Sequence, residues 1–234
     1  MLHSPDARPG AAGPAFPLPM VDPELSILDL RPLRQAEAKQ DPYPFVTASG
    51  CVNPMLLPDL RRDFPRLRET GFHPIDAFQP VGAFARLLEE LQGPEIAEIL
   101  SEKLGVDLRP LPRLITVRYV SAAHEGRIHT DSASKVATML LYLHHGWTSP
   151  AGRLRILRDG RNFEPYVEEI SPEEGNILAF RRGENSWHGH TPFVGERRVV
   201  QMAWLRDASE IERKRKRHGL SRLLKRLFHG SAGG

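Results

Sequence analysis

The sequence predicts a mainly β fold preceded by helices, and three observations carry that expectation. From Pro112 onward, short runs rich in Val, Ile, Leu, Phe and Tyr recur, separated by turn pairs such as Ser149-Pro150, Asp159-Gly160 and Arg182-Gly183. Ahead of them, apolar residues repeat at helical spacing between Val81 and Leu104. The 234 residues suffice for one sizeable domain with its own core and modest extensions. Many short strands at this spacing suggest an antiparallel sandwich or barrel, with the helices buttressing one sheet.

Taken in chain order, residues 1–24 are rich in Pro, Gly and Ala, lack a hydrophobic period and read as a flexible N-terminal segment. Residues 25–111 read as a helical or mixed support region. Within it, Pro54-Met55-Leu56-Leu57 with Leu60 suggests a short helix ending near Asp63 to Pro65. Val81, Phe84, Leu87, Leu88 and Leu91 predict a second helix, with Gly93 as its stop. Pro94 opens a third, Glu95 to Leu104, which Gly105 closes. Residues 112–208 hold the predicted strands: Leu114–Val120, Val136–Leu143, Leu154–Leu157, Tyr166–Ile170, Asn176–Phe180 and Arg198–Leu205. Residues 209–234 form a basic tail. In it Leu220, Leu223, Leu224, Leu227 and Phe228 predict one apolar helical stripe flanked by Arg222, Lys225 and Arg226. No internal repeat is visible.

Composition narrows the function classes. Hydrophobic residues make up 40% and charged residues 26%, which is ordinary for a soluble globular protein. The lone cysteine, Cys51, cannot form an intrachain disulfide, so nothing points to an oxidising compartment. No run of about 18 apolar residues exists to span a membrane, and the N-terminus lacks the basic start and apolar core of a secretory signal. A cytoplasmic protein is expected. The net charge of +3 is asymmetric: residues 213–229 carry eight Lys or Arg and no acid, which leaves −5 for the rest. Such a tail suits the inner face of a membrane or an acidic partner, or it packs its leucines on the domain. No aromatic stacking platform accompanies the cations, so nucleic acid is disfavoured.

The chemistry-bearing residues are scattered. His129 and Asp131 stand in H-T-D after a β-rich run, and two residues apart on an extended chain share one face. His188 stands in S-W-H-G-H, with His190, His144 and His145 as rivals. Two imidazoles and a carboxylate can take one face of an Fe(II) ion and leave three positions open. A cation after the second His, Arg197 or Arg198, could pair with a ligand carboxylate.

From Arg118 to Leu205 the chain resembles the prolyl 4-hydroxylase-like branch of the Fe(II)/2-oxoglutarate-dependent dioxygenase superfamily. The matching points are Arg118-Tyr119, H-T-D, the L-L-Y-L of Leu140–Leu143 and Trp147. Further on come the A-G-R-L-R-I-L run from Ala151, the E-G-N-I-L-A-F run from Glu174, W-H-G-H-T-P-F and G-E-R-R. This resemblance implies a double-stranded β-helix, or jelly roll. It implies His129, Asp131 and His188 as iron ligands, His188 being preferred to His190 because it follows Trp187 and lies nine residues before Arg197. It also implies that Tyr119, ten residues before His129, lines the cosubstrate pocket, and that the Tyr142 hydroxyl helps bind the far carboxylate of 2-oxoglutarate.

For the cationic partner of that carboxylate, spacing from His188 favours Arg197, while Trp204 lies six residues beyond Arg198, as the family pattern prefers. Only one of the two can enter the pocket, because alternate strand residues face opposite sides. The implied activity is hydroxylation of an unactivated C–H bond with release of succinate and CO2. Fe(II), 2-oxoglutarate and O2 are the implied cofactors, with ascorbate as an optional reductant. The substrate, small molecule or peptidyl, is not legible, because one barrel hosts many substrates through its loops. Two alternatives are a non-catalytic jelly-roll binding protein and a cupin-like metalloenzyme that does not use 2-oxoglutarate. The presence of all three ligands argues against the first, and the His-then-Arg spacing against the second.

Overall fold

The structure, a computed structural model, describes residues 26–213. The N-terminal segment 1–24 and the basic stripe of the tail lie outside the described residues.

Helices come first. After α1 (Arg31–Gln35), a 3-10 turn at Pro54–Leu56 runs into α2 (Leu57–Asp63). The two long helices are α3 (Gly82–Gln92) and α4 (Pro94–Leu104), close to where the apolar period and the Pro and Gly signals predicted them. The carboxylate of Asp63 accepts the Ala83 amide at 2.8 Å and so caps α3 from a neighbouring helix. Gly105 closes α4 in the left-handed conformation, φ 62°. Each helix turns one apolar face inward: Phe84, Leu87 and Leu91 from α3, and Ile96, Leu100 and Leu104 from α4. No helix among the described residues is long and apolar enough to cross a membrane.

The strands are β1 (Phe45–Ala48), β2 (His73–Pro74), β3 (Arg113–Ser121), β4 (Lys135–Tyr142), β5 (Leu154–Leu157), β6 (Tyr166–Ile170), β7 (Ile177–Arg181), β8 (His188–His190) and β9 (Gly195–Leu205). They form two antiparallel sheets, one of six strands in the order β1-β7-β4-β9-β3-β2 and one of three in the order β6-β5-β8. An isolated bridge between His129 and His188 extends the smaller sheet past β8. From β3 onward the chain passes repeatedly between the sheets, β3 and β4 in the large one, β5 and β6 in the small one, then β7, β8 and β9 in turn, so the jelly-roll class read from the sequence is the one that forms. Sequence reading missed β1, β2 and β8. The first two add to the edges of the large sheet from the region read as support, and β8 is only the three residues H-G-H.

The large sheet is covered on both faces. Val117, Met139, Leu141, Ile177, Ala179, Val200, Met202 and Trp204 pack against the helices. Leu140, Tyr142, Leu178, Phe180 and Val199 face Leu154, Ile156 and Ile170 of the small sheet. Burial of both faces explains why β4 reads V-A-T-M-L-L-Y without alternation. The space between the two sheets is where the site residues meet.

One half-buried contact ties the start of the described chain to this framework. The carboxylate of Glu90 on α3 accepts the Ile27 and Leu28 amides, each at 2.8 Å, and the Ser26 hydroxyl at 2.9 Å. Glu90→Ala leaves those donors unpaired, at a cost of about 2 kcal/mol. A urea melt should show a lower midpoint with an unchanged slope.

Candidate metal centre and cosubstrate pocket

Residues 59 positions apart meet through backbone pairing. The His129 amide donates to the His188 carbonyl and the His188 amide to the His129 carbonyl, each at 3.0 Å. Cross-strand partners in such a pair present their side chains on the same face, and the two rings lie 4.4 Å apart between centroids. Asp131, two residues along an extended stretch, returns to that face. One ligand atom from each of His129, Asp131 and His188 lies within 4.8 Å of the others. The strand–strand approach depends on Gly189, where a Cβ would meet the Gly126 carbonyl oxygen at 2.7 Å.

The donor chemistry of this triad suits a divalent cation. His129 Nδ1 lies 2.7 Å from the Arg127 carbonyl and His188 Nδ1 lies 2.9 Å from the Ser186 carbonyl. Each Nδ1–H therefore donates to backbone and leaves Nε2 with its lone pair free for a metal. Burial first, then His129, moves the His188 pKa down to about 4, so this imidazole is neutral at physiological pH. Burial alone would raise the Asp131 pKa; Lys135, at 2.7 Å, and Thr138, at 2.5 Å, outweigh it and keep the carboxylate ionised. Lys135 and Thr138 were not singled out by sequence reading. They hold one oxygen each, and a carboxylate oxygen keeps a second lone pair for an ion.

Between the sheets, near the triad, two arginines are buried, Arg118 and Arg197. Arg197 is wholly enclosed; its Nε donates to the Gly152 carbonyl at 2.9 Å and its guanidinium carbon sits 5.4 Å from the centre of the Tyr142 ring. Across the large sheet, Arg118 of β3, Val199 of β9 and Tyr142 of β4 stand in one row. Arg197, two residues from Val199, projects the same way. Four buried polar atoms here have no hydrogen-bond partner among the described residues: Tyr142 OH, Arg197 Nη2, Arg118 Nε and His190 Nε2. Burial, then Arg197, takes the His190 pKa down to about 3, so that ring is also neutral. His190 Nδ1 donates to the Thr191 carbonyl at 2.9 Å, so its Nε2 is an acceptor; the other three atoms are donors around two buried guanidiniums, with Glu125 the nearby acid, an arrangement that suits an anion.

Three of the expected residues differ in the face that they occupy. Arg197 enters the pocket and Arg198 does not: Arg198 points to the helix side, ion-paired with Glu196 and 5.7 Å from the Phe64 ring. Tyr142 joins Arg197. Tyr119 requires a correction. Its hydroxyl donates to Glu196 at 2.9 Å and its ring packs between Phe64 and Arg198, outside the space between the sheets. Strand alternation turns residue 118 inward and 119 outward, so Arg118 occupies the place that residue counting assigned to Tyr119. The signal for Arg118 was a charged residue within the apolar run L-I-T-V-R-Y-V.

The other histidines fall elsewhere. His144 stacks edge-on against Trp147. His145 approaches Glu173 and Glu174 closely enough for a metal, but Glu174 is ion-paired with Arg61 and Glu173 accepts the Gly146 and Trp147 amides.

Two buried neutral imidazoles make stability depend on pH. Between the unfolded value of 6.5 and the folded values near 4 and 3, the unfolded chain binds protons that His188 and His190 refuse. Stability of the metal-free protein is therefore full above pH 6.5 and falls as the pH drops toward 4. At pH 5 the loss should be roughly 2 kcal/mol per histidine, read from urea midpoints across that range. Replacing His190 by Phe should flatten the profile by about half.

Comparison with known proteins bears on what this site belongs to. No curated protein matches the chain. Among solved structures, a Pseudomonas putida prolyl-4-hydroxylase is similar at 20% identity and TM-score 0.49, over 70% of this chain and 88% of that one. A Phytophthora capsici prolyl 4-hydroxylase is similar at 20% identity and TM-score 0.48, over 69% of this chain and 58% of that one. An oxidoreductase of the 2OG-Fe(II) oxygenase family from Burkholderia pseudomallei is similar at 12% identity and TM-score 0.49, over 70% of this chain and 84% of that one. Residues 115–206, which span both the triad and the pocket, match the model of the 2OG-Fe(II) oxygenase superfamily.

Proposed function

We propose that the protein is an Fe(II)- and 2-oxoglutarate-dependent dioxygenase that hydroxylates a C–H bond. In this reading His129, Asp131 and His188 hold the metal, and Arg197 with Tyr142 holds the distal carboxylate of 2-oxoglutarate. The single observation that carries it is the cluster of unpaired buried donors beside a 2-His-1-carboxylate set. Bound there, Fe(II) supplies O2 activation coupled to decarboxylation of 2-oxoglutarate, so that R–H, O2 and 2-oxoglutarate become R–OH, succinate and CO2.

The protein's own part is positional. The backbone carbonyls of Arg127 and Ser186 orient both imidazoles through Nδ1. Lys135 and Thr138 fix the Asp131 carboxylate. The Arg197 guanidinium, anchored by Gly152, presents an N–H fork to a carboxylate in a site from which bulk water is excluded, where a charge-assisted pair is strong. The apolar floor of Phe45, Leu154, Ile156 and Phe180 keeps that space dry. No side chain needs to act as a nucleophile. The loops that would select the substrate do not identify it, so the substrate class stays unassigned.

Purified protein with Fe(II), 2-oxoglutarate and air should form succinate slowly even without substrate. His188→Ala should abolish it. Arg197→Met should raise the KM for 2-oxoglutarate by about 30-fold or more, the loss of one buried charge-assisted pair. Succinate formation that His188→Ala leaves unchanged would overturn the reading.

A further inference from the structure

We propose that Arg118 is a second cosubstrate-binding residue, so that the distal carboxylate of 2-oxoglutarate is gripped between two guanidiniums and the pocket rejects 2-oxo acids that lack it. This rests on the assignment of the Arg197 pocket to 2-oxoglutarate.

Four observations lead there. Arg118 is nine-tenths buried and faces the same space as Tyr142 and Arg197. Its Nε has no partner among the described residues. Its acidic neighbour is poorly matched: Arg118 Nη2 lies 3.3 Å from Glu125 Oε1, while Glu125 Oε2 accepts the Ser121 hydroxyl and the Ala122 amide. The Phe72 ring lies 4.2 Å from the guanidinium carbon and holds its plane in place.

A residue kept for packing alone would not be a cation set against a second buried cation. Burial, and then Arg197, lower the Arg118 pKa to about 10 despite the opposing effect of Glu125. A carboxylate has about four lone-pair sites. That is enough to accept from Arg118 Nε, Arg197 Nη2 and Tyr142 OH together. Charge balance agrees, since Arg118 and Arg197 exceed Glu125 by one positive charge and a single carboxylate restores neutrality.

The test is equilibrium binding to Mn(II)-loaded protein, with 2-oxoglutarate and with 2-oxobutanoate, which keeps the keto-acid end and lacks the distal carboxylate. The expected result for Arg118→Met is a Kd for 2-oxoglutarate raised about tenfold or more. Its weak affinity for 2-oxobutanoate should stay within about twofold of wild type. Arg118→Lys, which keeps the charge and loses the fork, should show the same split at smaller size. A structural role would weaken both acids in proportion, and that result, or 2-oxoglutarate affinity unchanged in Arg118→Met, would overturn the role of Arg118 alone. Wild-type protein that binds Mn(II) but not 2-oxoglutarate would instead overturn the pocket assignment, and this inference with it.

Discussion

Two backbone hydrogen bonds between residues 129 and 188, each 3.0 Å long, are the constraint on which the site depends. They fix the register of two short stretches distant in sequence and set both imidazoles on one face. A one-residue slip would turn His188 outward. The pairing needs close backbone contact, which explains a glycine between the two histidines of β8: any side chain at 189 would strike the carbonyl of Gly126. The same pairing aims each Nδ1 at a backbone carbonyl and leaves the other nitrogen for a ligand. Metal-binding geometry is thus a by-product of sheet register.

The second physical theme is an unpaired buried charge. Taking a guanidinium out of water is costly unless hydrogen bonds and a counter-ion compensate. Here Arg197 has one backbone carbonyl, and Arg118 has one long contact to Glu125. Other partly buried arginines have close carboxylate partners, as in the contacts of Arg61 with Glu174 and Arg155 with Glu169. Arg197 has no such partner, and a ligand carboxylate would supply one. Stability held in reserve at a binding site and recovered on ligand binding is a general feature of pre-organised sites.

Much of this was legible in the sequence, and the reasons are local. α3 and α4 announce themselves through a period of Phe84, Leu87, Leu88 and Leu91 and through Pro94 and Gly105, because helix ends are set by neighbouring residues. Six of the strands were visible as apolar runs between turn pairs. β2 and β8 were not, because H-P and H-G-H contain no alternation and become strands only by pairing with distant partners. For the site, motif order brought His129, Asp131 and His188 forward, but which of Arg197 and Arg198 faces the space between the sheets is set by the orientation of β9. Tyr119 was misplaced for a related reason. Residue counting measures distance along the chain, whereas side-chain direction depends on the pairing of β3 with β9, whose register shifts between Arg118 and Val120. Lys135 and Thr138 carry no sequence signal, since their role exists only where they meet Asp131.

Triad and pocket have meaning together only if one ligand touches both. The most direct measurement is an anaerobic titration of Fe(II)-loaded protein with 2-oxoglutarate, followed by visible absorption, because a keto acid chelating the metal gives a weak charge-transfer band. A band that saturates at one equivalent per chain is expected. Its absence, in protein shown to retain iron, would contradict the joining of the two sites into a single centre.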